Sequence, residues 1–234
     1  LSGSAFDRYL DALAGSWRAY AAPHPTAVLD RGFAFIAMRH PDPVLNNAIV
    51  RTPDALPLVL EFFAGINTFA VWVAESDASP ALSTLLRDEG LRPDISTRPM
   101  IATLADITLA DITLPPTDPG ELRRDVPPAE VAAMNGVAAA VVDGVRDLRG
   151  YSSPDGLAGL LALDADDDVN ISFVVTAPQV RGQGRASALL RAALADARDR
   201  GRLTASLQAT TTAENLYRRA GFVPVGRWQE WVPE

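Results

Sequence analysis

The stretch from Val169 to Gly201 constrains this chain more than any other. An apolar run through Val174, Val175 and Thr176 meets Pro178 and passes through Arg181-Gly182-Gln183-Gly184-Arg185-Ala186-Ser187. It then continues with Ala186, Leu189, Leu190, Ala193, Leu194 and Ala197 on one face. That order predicts a strand, a glycine loop and an amphipathic helix. Glycines at 182 and 184 let the backbone bend without a Cβ penalty, and the small Ala186 lets the helix start pack closely. A helix opening on such a loop presents free amides and the positive end of its dipole. The segment therefore predicts an anion site for a phosphate or pyrophosphate, with Arg181 and Arg185 flanking it.

Two familiar phosphate loops do not fit. A Walker loop needs a lysine after its last glycine, and the chain contains no lysine. A dinucleotide fingerprint needs a third glycine and an acidic residue ending the next strand. Here Ser187 follows Gly182-x-Gly184, and "LTASLQAT" ends without an acid.

With 234 residues, 48% of them hydrophobic and 21% charged, the chain is of ordinary globular composition and holds one large domain or two small ones. No apolar run approaches the roughly 20 residues that span a bilayer. The opening "LSGSAFDRYL" has neither the basic nor the apolar region of a secretory signal, so a cytoplasmic protein is expected. The absence of cysteine excludes disulfides, thiol nucleophiles and thiolate metal sites. A net charge of -8 argues against a nucleic-acid partner. His24 and His40 are the only histidines, at no zinc spacing, so no metal is expected.

Helical spacing of Phe6, Leu10, Leu13, Trp17 and Tyr20 predicts a helix over residues 5–21. Strands are expected in "TAVLDRG" and "FAFIAMRH" with a turn at Gly32, then in "NNAIV", "INTFAVWVAES" and "DISTRPMIATLADITL". Helices are expected in "TPDALPLVLEFFAG" and "SPALSTLLRDEG". Proline and charge crowd "LPPTDPGELRRDVPP", which predicts a linker over 115–127 between residues 1–114 and residues 128–234. Beyond it come a helix in "PPAEVAAMNGVAAAVV", two strands around the acidic turn Asp164–Asp168, a strand in "RLTASLQAT", a helix in "AENLYRRAG", and a final strand or hairpin in "FVPVGRWQEWV". "LLRDEGLRPD" echoes "LYRRAGFVPV", which suggests two related halves.

The loop Arg181-Gly182-Gln183-Gly184-Arg185-Ala186 after Thr176-Ala177-Pro178, followed by a strand and then Leu216-Tyr217-Arg218-Arg219-Ala220-Gly221-Phe222, resembles the acetyl-CoA-binding and tyrosine motifs of the GNAT superfamily of N-acetyltransferases. The resemblance covers the chain from about Pro128 onward, and the first half only loosely. It implies an α/β fold of two tandem acetyltransferase-like halves, each a mixed, mainly antiparallel sheet flanked by helices, the first degenerate. It implies acetyl-CoA as co-substrate. Backbone groups of Val174, Val175 and Thr176 would hold pantetheine, and the segment Arg181, Gly182, Gln183, Gly184, Arg185, Ala186 and Ser187 would hold the pyrophosphate. Tyr217 would be the general acid for the CoA thiolate. Thr210 stands where many relatives carry asparagine, and either touches the cofactor or caps the next helix. In the first half Leu86 stands where the tyrosine would be.

The general base is not readable. Asp168, Asn170, Ser172 and Glu230 lie near strands that could border the site, but each reads first as a solvated turn or face residue, and His40 reads as a surface residue. The implied activity is acetyl transfer to a small amine or a peptide N-terminus by direct attack, in a monomer or homodimer that binds neither nucleic acid nor membrane. A non-catalytic acyl-CoA-binding module stands beside it. An aminoacyl-tRNA-dependent transferase is disfavoured by the acidic balance.

Overall fold

The computed structural model describes residues 4–24, 28–31, 35–108 and 122–234. Its first helix, α1 (Ala5–Ala21), begins at a reciprocal cap. The Ser4 hydroxyl accepts from the Asp7 amide at 3.1 Å, and the Asp7 carboxylate accepts from the Ser4 amide at 3.0 Å. The helix buries Tyr9, Leu10, Leu13, Trp17 and Tyr20, the 3.6-residue stripe read from the sequence.

The remaining helices are α2 (Leu56–Phe62), α3 (Pro80–Asp88), α4 (Pro128–Met134), α5 (Arg185–Asp199) and α6 (Glu214–Arg219). The strands of the first part are β1 (Val28–Asp30), β2 (Phe35–Met38), β3 (Asn47–Val50), β4 (Ala70–Ala74) and the long β5 (Leu91–Thr103). Those of the second are β6 (Arg123–Val126), β7 (Leu148–Ser152), β8 (Ala158–Ala165), β9 (Asp168–Thr176), β10 (Thr204–Thr210), β11 (Val223–Pro224) and β12 (Trp228–Pro233). The expected turn at Gly32 lies outside the described residues, as do residues 115–121 of the expected linker. The end of that linker is a strand, because Arg123–Val126 pairs with β7.

The fold is mixed α/β with a mostly antiparallel sheet flanked by helices. The strands do not divide into two sheets, as the two-half expectation had it. They form one 12-stranded sheet in the order β1-β2-β3-β4-β12-β5-β10-β9-β8-β7-β6, with β11 beside β5. The only parallel pairs among the described strands are β3–β4 and β9–β10. Each of these pairs is followed by a short helix, a left-handed glycine (Gly90, φ 74°; Gly221, φ 90°) and then Leu-Arg-Pro or Phe-Val-Pro leading along a strand.

The sheet is continuous because the closing strands are exchanged. β12 lies between β4 and the first part of β5, with Trp231 opposite Val71 and Pro93. The second part of β5 lies between β10 and β11, with Ile101 opposite Ser206 and Val223. Of the expected final strand or hairpin it is the strand that forms, since β11 and β12 both pair with β5 and not with each other.

Three apolar clusters fill the layers. One packs α5 and α6 on β5, β9 and β10; one packs α1 and α4 over the middle strands; one packs α2 and α3 on β3 and β4. Leu86 is fully buried in the last. Leu86→Ala is expected to cost about 2–5 kcal/mol through the cavity it leaves, with unchanged turnover in the folded fraction. Urea unfolding beside a thiol-release assay measures both.

Candidate active site

β9 and β10 pair only from Asp168↔Thr204 to Ile171↔Leu207, although β9 runs on to Thr176 and β10 to Thr210. Beyond Leu207, β10 keeps pairing with β5 on its other side. Ser172–Thr176 thus has no β10 partner, and the sheet opens there. On the β8 side the register slips: Ser172 faces Leu161 while Val175 faces Gly159. Phe173 sits in this bulge at φ 49°, a left-handed conformation uncommon for so large a residue. Its carbonyl accepts from Asn135 Nδ2 at 2.9 Å.

The opened strand leads into the glycine loop. Pro178–Val180 forms one 3₁₀ turn; Gly182 (φ 75°) and Gly184 (φ 72°) are both left-handed; α5 starts at Arg185. Gly184 is the N-cap, and no side chain caps the helix. A Cβ at Gly182 would meet nothing within 4 Å, so that glycine is there for its backbone angle. Arg181 Nε donates to the Thr176 carbonyl at 3.2 Å, and Gln183 Nε2 to that of Gln179 at 3.4 Å. Arg185, expected to supply free positive charge, is ion-paired with Asp155, whose carboxyl it pulls down to about 2.

Tyr217 on α6 is 5% exposed, edge-on to Phe222 at 6.1 Å between ring centroids. Its hydroxyl hydrogen-bonds no described residue, and burial pushes its pKa up to about 12. At neutral pH it is a protonated donor with nothing among the described residues to donate to. Thr210 shares a 3.1 Å hydrogen bond with Thr212 and caps nothing, because Ala213 is the N-cap of α6 and makes no side-chain cap.

The base candidates separate. Asp168 accepts from Thr204 and Ser206, both at 2.6 Å, within the paired part of β9 and β10; burial raises its pKa to about 6. Asn170 donates to Ser206 at 3.1 Å. Glu230 lies elsewhere, on the exchanged strand β12. It accepts from Thr97 at 3.4 Å and Gln208 at 3.3 Å, and burial lifts it to about 7. Glu230, Asn170 and Ser172 line one 370 Å³ cavity under α1, where the sheet opens; Asp168 does not line it. His40 is not at the surface. It is 4% exposed, 4.5 Å from the His24 ring, and its Nδ1 accepts from the Asp42 amide at 2.9 Å. Burial lowers its pKa, with the neighbouring His24 adding to the effect. No cluster of three metal-ligating side chains occurs among the described residues, and no described helix is long and apolar enough to cross a membrane.

Residues 133–231 match the family model described as an acetyltransferase (GNAT) domain. No curated protein matches the chain by sequence. Among solved structures, the chain is similar to a GCN5-related N-acetyltransferase from Kribbella flavida, with TM-score 0.65, 20% identity and 94% of each chain covered. It is also similar to a GCN5-related N-acetyltransferase-like protein from Streptococcus suis, with TM-score 0.58, 17% identity, and 98% and 99% covered. A third is a tandem GNAT protein from the clavulanic acid biosynthesis pathway, with TM-score 0.51, 12% identity and 94% of each chain covered. At these identities the likeness is one of fold.

Proposed function

We propose, from the match of residues 133–231 to the GNAT acetyltransferase domain model, that this chain is an acyltransferase that moves an acetyl group from acetyl-CoA to a primary amine by direct attack. The observation that carries the reading is the opening of β9 from β10, which ends at an uncapped helix start. The free edge from Val174 to Thr176 can add pantetheine as a short strand, which needs only backbone groups. The amides from Gly182 to Ser187 can hold the pyrophosphate, aided by the α5 dipole and the Arg181 guanidinium. An amide at the Phe173–Val174 bulge would meet the thioester oxygen as charge develops there. Tyr217 would hand its proton to the departing sulfur. Thr210 would lie against the cofactor's side of β10.

The repeated succession of parallel pair, helix and proline-bearing strand supports a chain of two tandem halves, with the first lacking the glycine cradle and carrying Leu86 where the second has Tyr217. On this reading the boundary is the segment 115–127, within which β6 falls.

The test of the cradle is Gly184→Asp. It puts a negative charge against the pyrophosphate, and aspartate tolerates a positive φ better than most residues. CoA affinity by calorimetry should fall about tenfold or more, equivalent to about 1.4 kcal/mol, and Gly184→Ala should lose less. Unchanged affinity in a folded Gly184→Asp protein would place the phosphate elsewhere.

A further inference from the structure

The cavity beneath α1 has an unusual distribution of chemistry. Five aromatic residues line it: Tyr9, Trp17 and Tyr20 from α1, Trp72 from β4 and Phe173 from the bulge. Glu230 is its one carboxylate, and no arginine or histidine lines it among the described residues. Most of its other polar groups are bonded within the protein. Ser16 donates to the Ala12 carbonyl, Ser172 pairs with Tyr20, Asn170 donates to Ser206, and Asn47 to the Val44 carbonyl. Thr97 and Gln208 are joined at 2.7 Å and both point at Glu230 Oε1. What remains is aromatic surface, the second oxygen of Glu230, and two buried atoms without partners, Trp72 Nε1 and Gln208 Oε1.

Resting on the acyl-transfer reading above, we infer that this cavity is the acceptor site for a small monocationic amine with an apolar or aromatic body, and that Glu230 holds its ammonium group and takes its proton. Size and charge both select. A volume of 370 Å³ is at the small end of ligand pockets, too small for a folded protein substrate. A single carboxylate balances one positive charge, so a polyamine would leave ammonium groups buried unpaired. An anionic acceptor finds no cation. A sugar, rich in hydroxyls, finds few unspent partners. Aromatic faces favour both an apolar body and the cation at its end.

Location agrees with this role. Ser172 and Phe173 line the cavity, and Val174–Thr176 follow directly on the same strand. An amine beside Glu230 is therefore on the same opened edge as the proposed thioester. The proton balance closes. Glu230 takes one proton from the ammonium, and the nitrogen lone pair bonds to the thioester carbon. The nitrogen loses a second proton as the C–S bond breaks, and the sulfur gains one. The products are an N-acetyl amine, CoA thiol and one proton released. Apolar walls that raise a carboxyl also lower an ammonium, which brings the two groups closer in proton affinity.

The titratable neighbours of Glu230 are Tyr9 on α1 and Asp94 on β5; both leave its charged form no more stable. Trp72 on β4 and Gln208 on β10 carry no charge. With Glu230 raised to about 7, the active, deprotonated form accumulates as pH rises through that value.

The experiment uses the full chain with acetyl-CoA and four probes: 2-phenylethylamine, glucosamine, spermidine and a short peptide. Thiol release, calorimetric CoA binding and tryptophan fluorescence, to which Trp17 and Trp72 in the cavity wall contribute, are read together. Release with 2-phenylethylamine, rising through about pH 7, is expected. Glu230→Gln should lower it about 10²–10⁴-fold and flatten that limb while CoA binding holds. Because CoA binding also reports folding, a misfolded variant is recognised, and Glu230→Asp should then retain part of the activity. Release with spermidine, glucosamine or the peptide but not with 2-phenylethylamine would overturn the acceptor assignment and leave acyl transfer standing. Glu230-dependent fluorescence quenching by 2-phenylethylamine, without thiol release from any probe, would sink the acyl-transfer reading and leave the amine site.

Discussion

Tyr217→Phe is expected to lower kcat about 10²-fold and to leave acetyl-CoA binding and the melting temperature nearly unchanged. General acids contribute about 10²–10⁴-fold, and burial places this tyrosine at the low end. Its pKa of about 12 lies above the roughly 8.5 of a thiol. A full transfer to a finished thiolate would thus run uphill, and the hydroxyl acts best as a donor to sulfur while the C–S bond is breaking. That interaction exists only in the transition state, so its loss appears in kcat rather than in affinity. Stability should hold because the ring is kept and the hydroxyl makes no hydrogen bond to any described residue. Pre-steady-state thiol release and thermal melts measure the two sides. Full turnover by the phenylalanine variant would give the proton to water or to another group.

Ending the chain after Arg227 is expected to abolish the native fold. The deletion removes Trp228, fully buried, and Trp231, 5% exposed. Truncating one buried tryptophan costs about 3–5 kcal/mol, so two approach the entire 5–15 kcal/mol of a typical domain. It also exposes the facing edges of β4 and β5, between which β12 lies. Circular dichroism with urea unfolding would show the loss. A cooperative transition at the wild-type midpoint would mean that β12 is dispensable. Trp228→Phe, which keeps a ring in place, should unfold cooperatively at lower urea.

Local chemistry was legible in the sequence. The stripe from Phe6 to Tyr20 marks out α1, and the glycine pair before Ala186 marks where β9 becomes α5. Partners far apart in the chain were not. "FVPVGRWQEWV" reads as a strand or a hairpin because nothing within it says that both of its strands pair with β5. "LRGYS", which forms β7, is too short and mixed to announce a strand. His40 reads as a loop residue, but its amide is taken by Asn46 Oδ1 at 2.7 Å and its ring is covered by His24. Glu230 shows why a base escapes such a reading. Its environment is assembled from α1, β4, β5, β9 and β10, so only the folded chain sets its proton affinity.

The exchange of β5 and β12 also orders events during synthesis. At about 5–20 residues per second, Leu91 is made many seconds before Pro233, the residue it finally faces. Until then the early strands hold an open slot, and no nascent chain shorter than β12 can close the sheet. Such distant pairing is slow to form, and the waiting edges are adhesive toward other unfinished copies. A chain built this way depends on its translation being completed, and premature termination near its end should yield aggregate rather than a smaller folded protein.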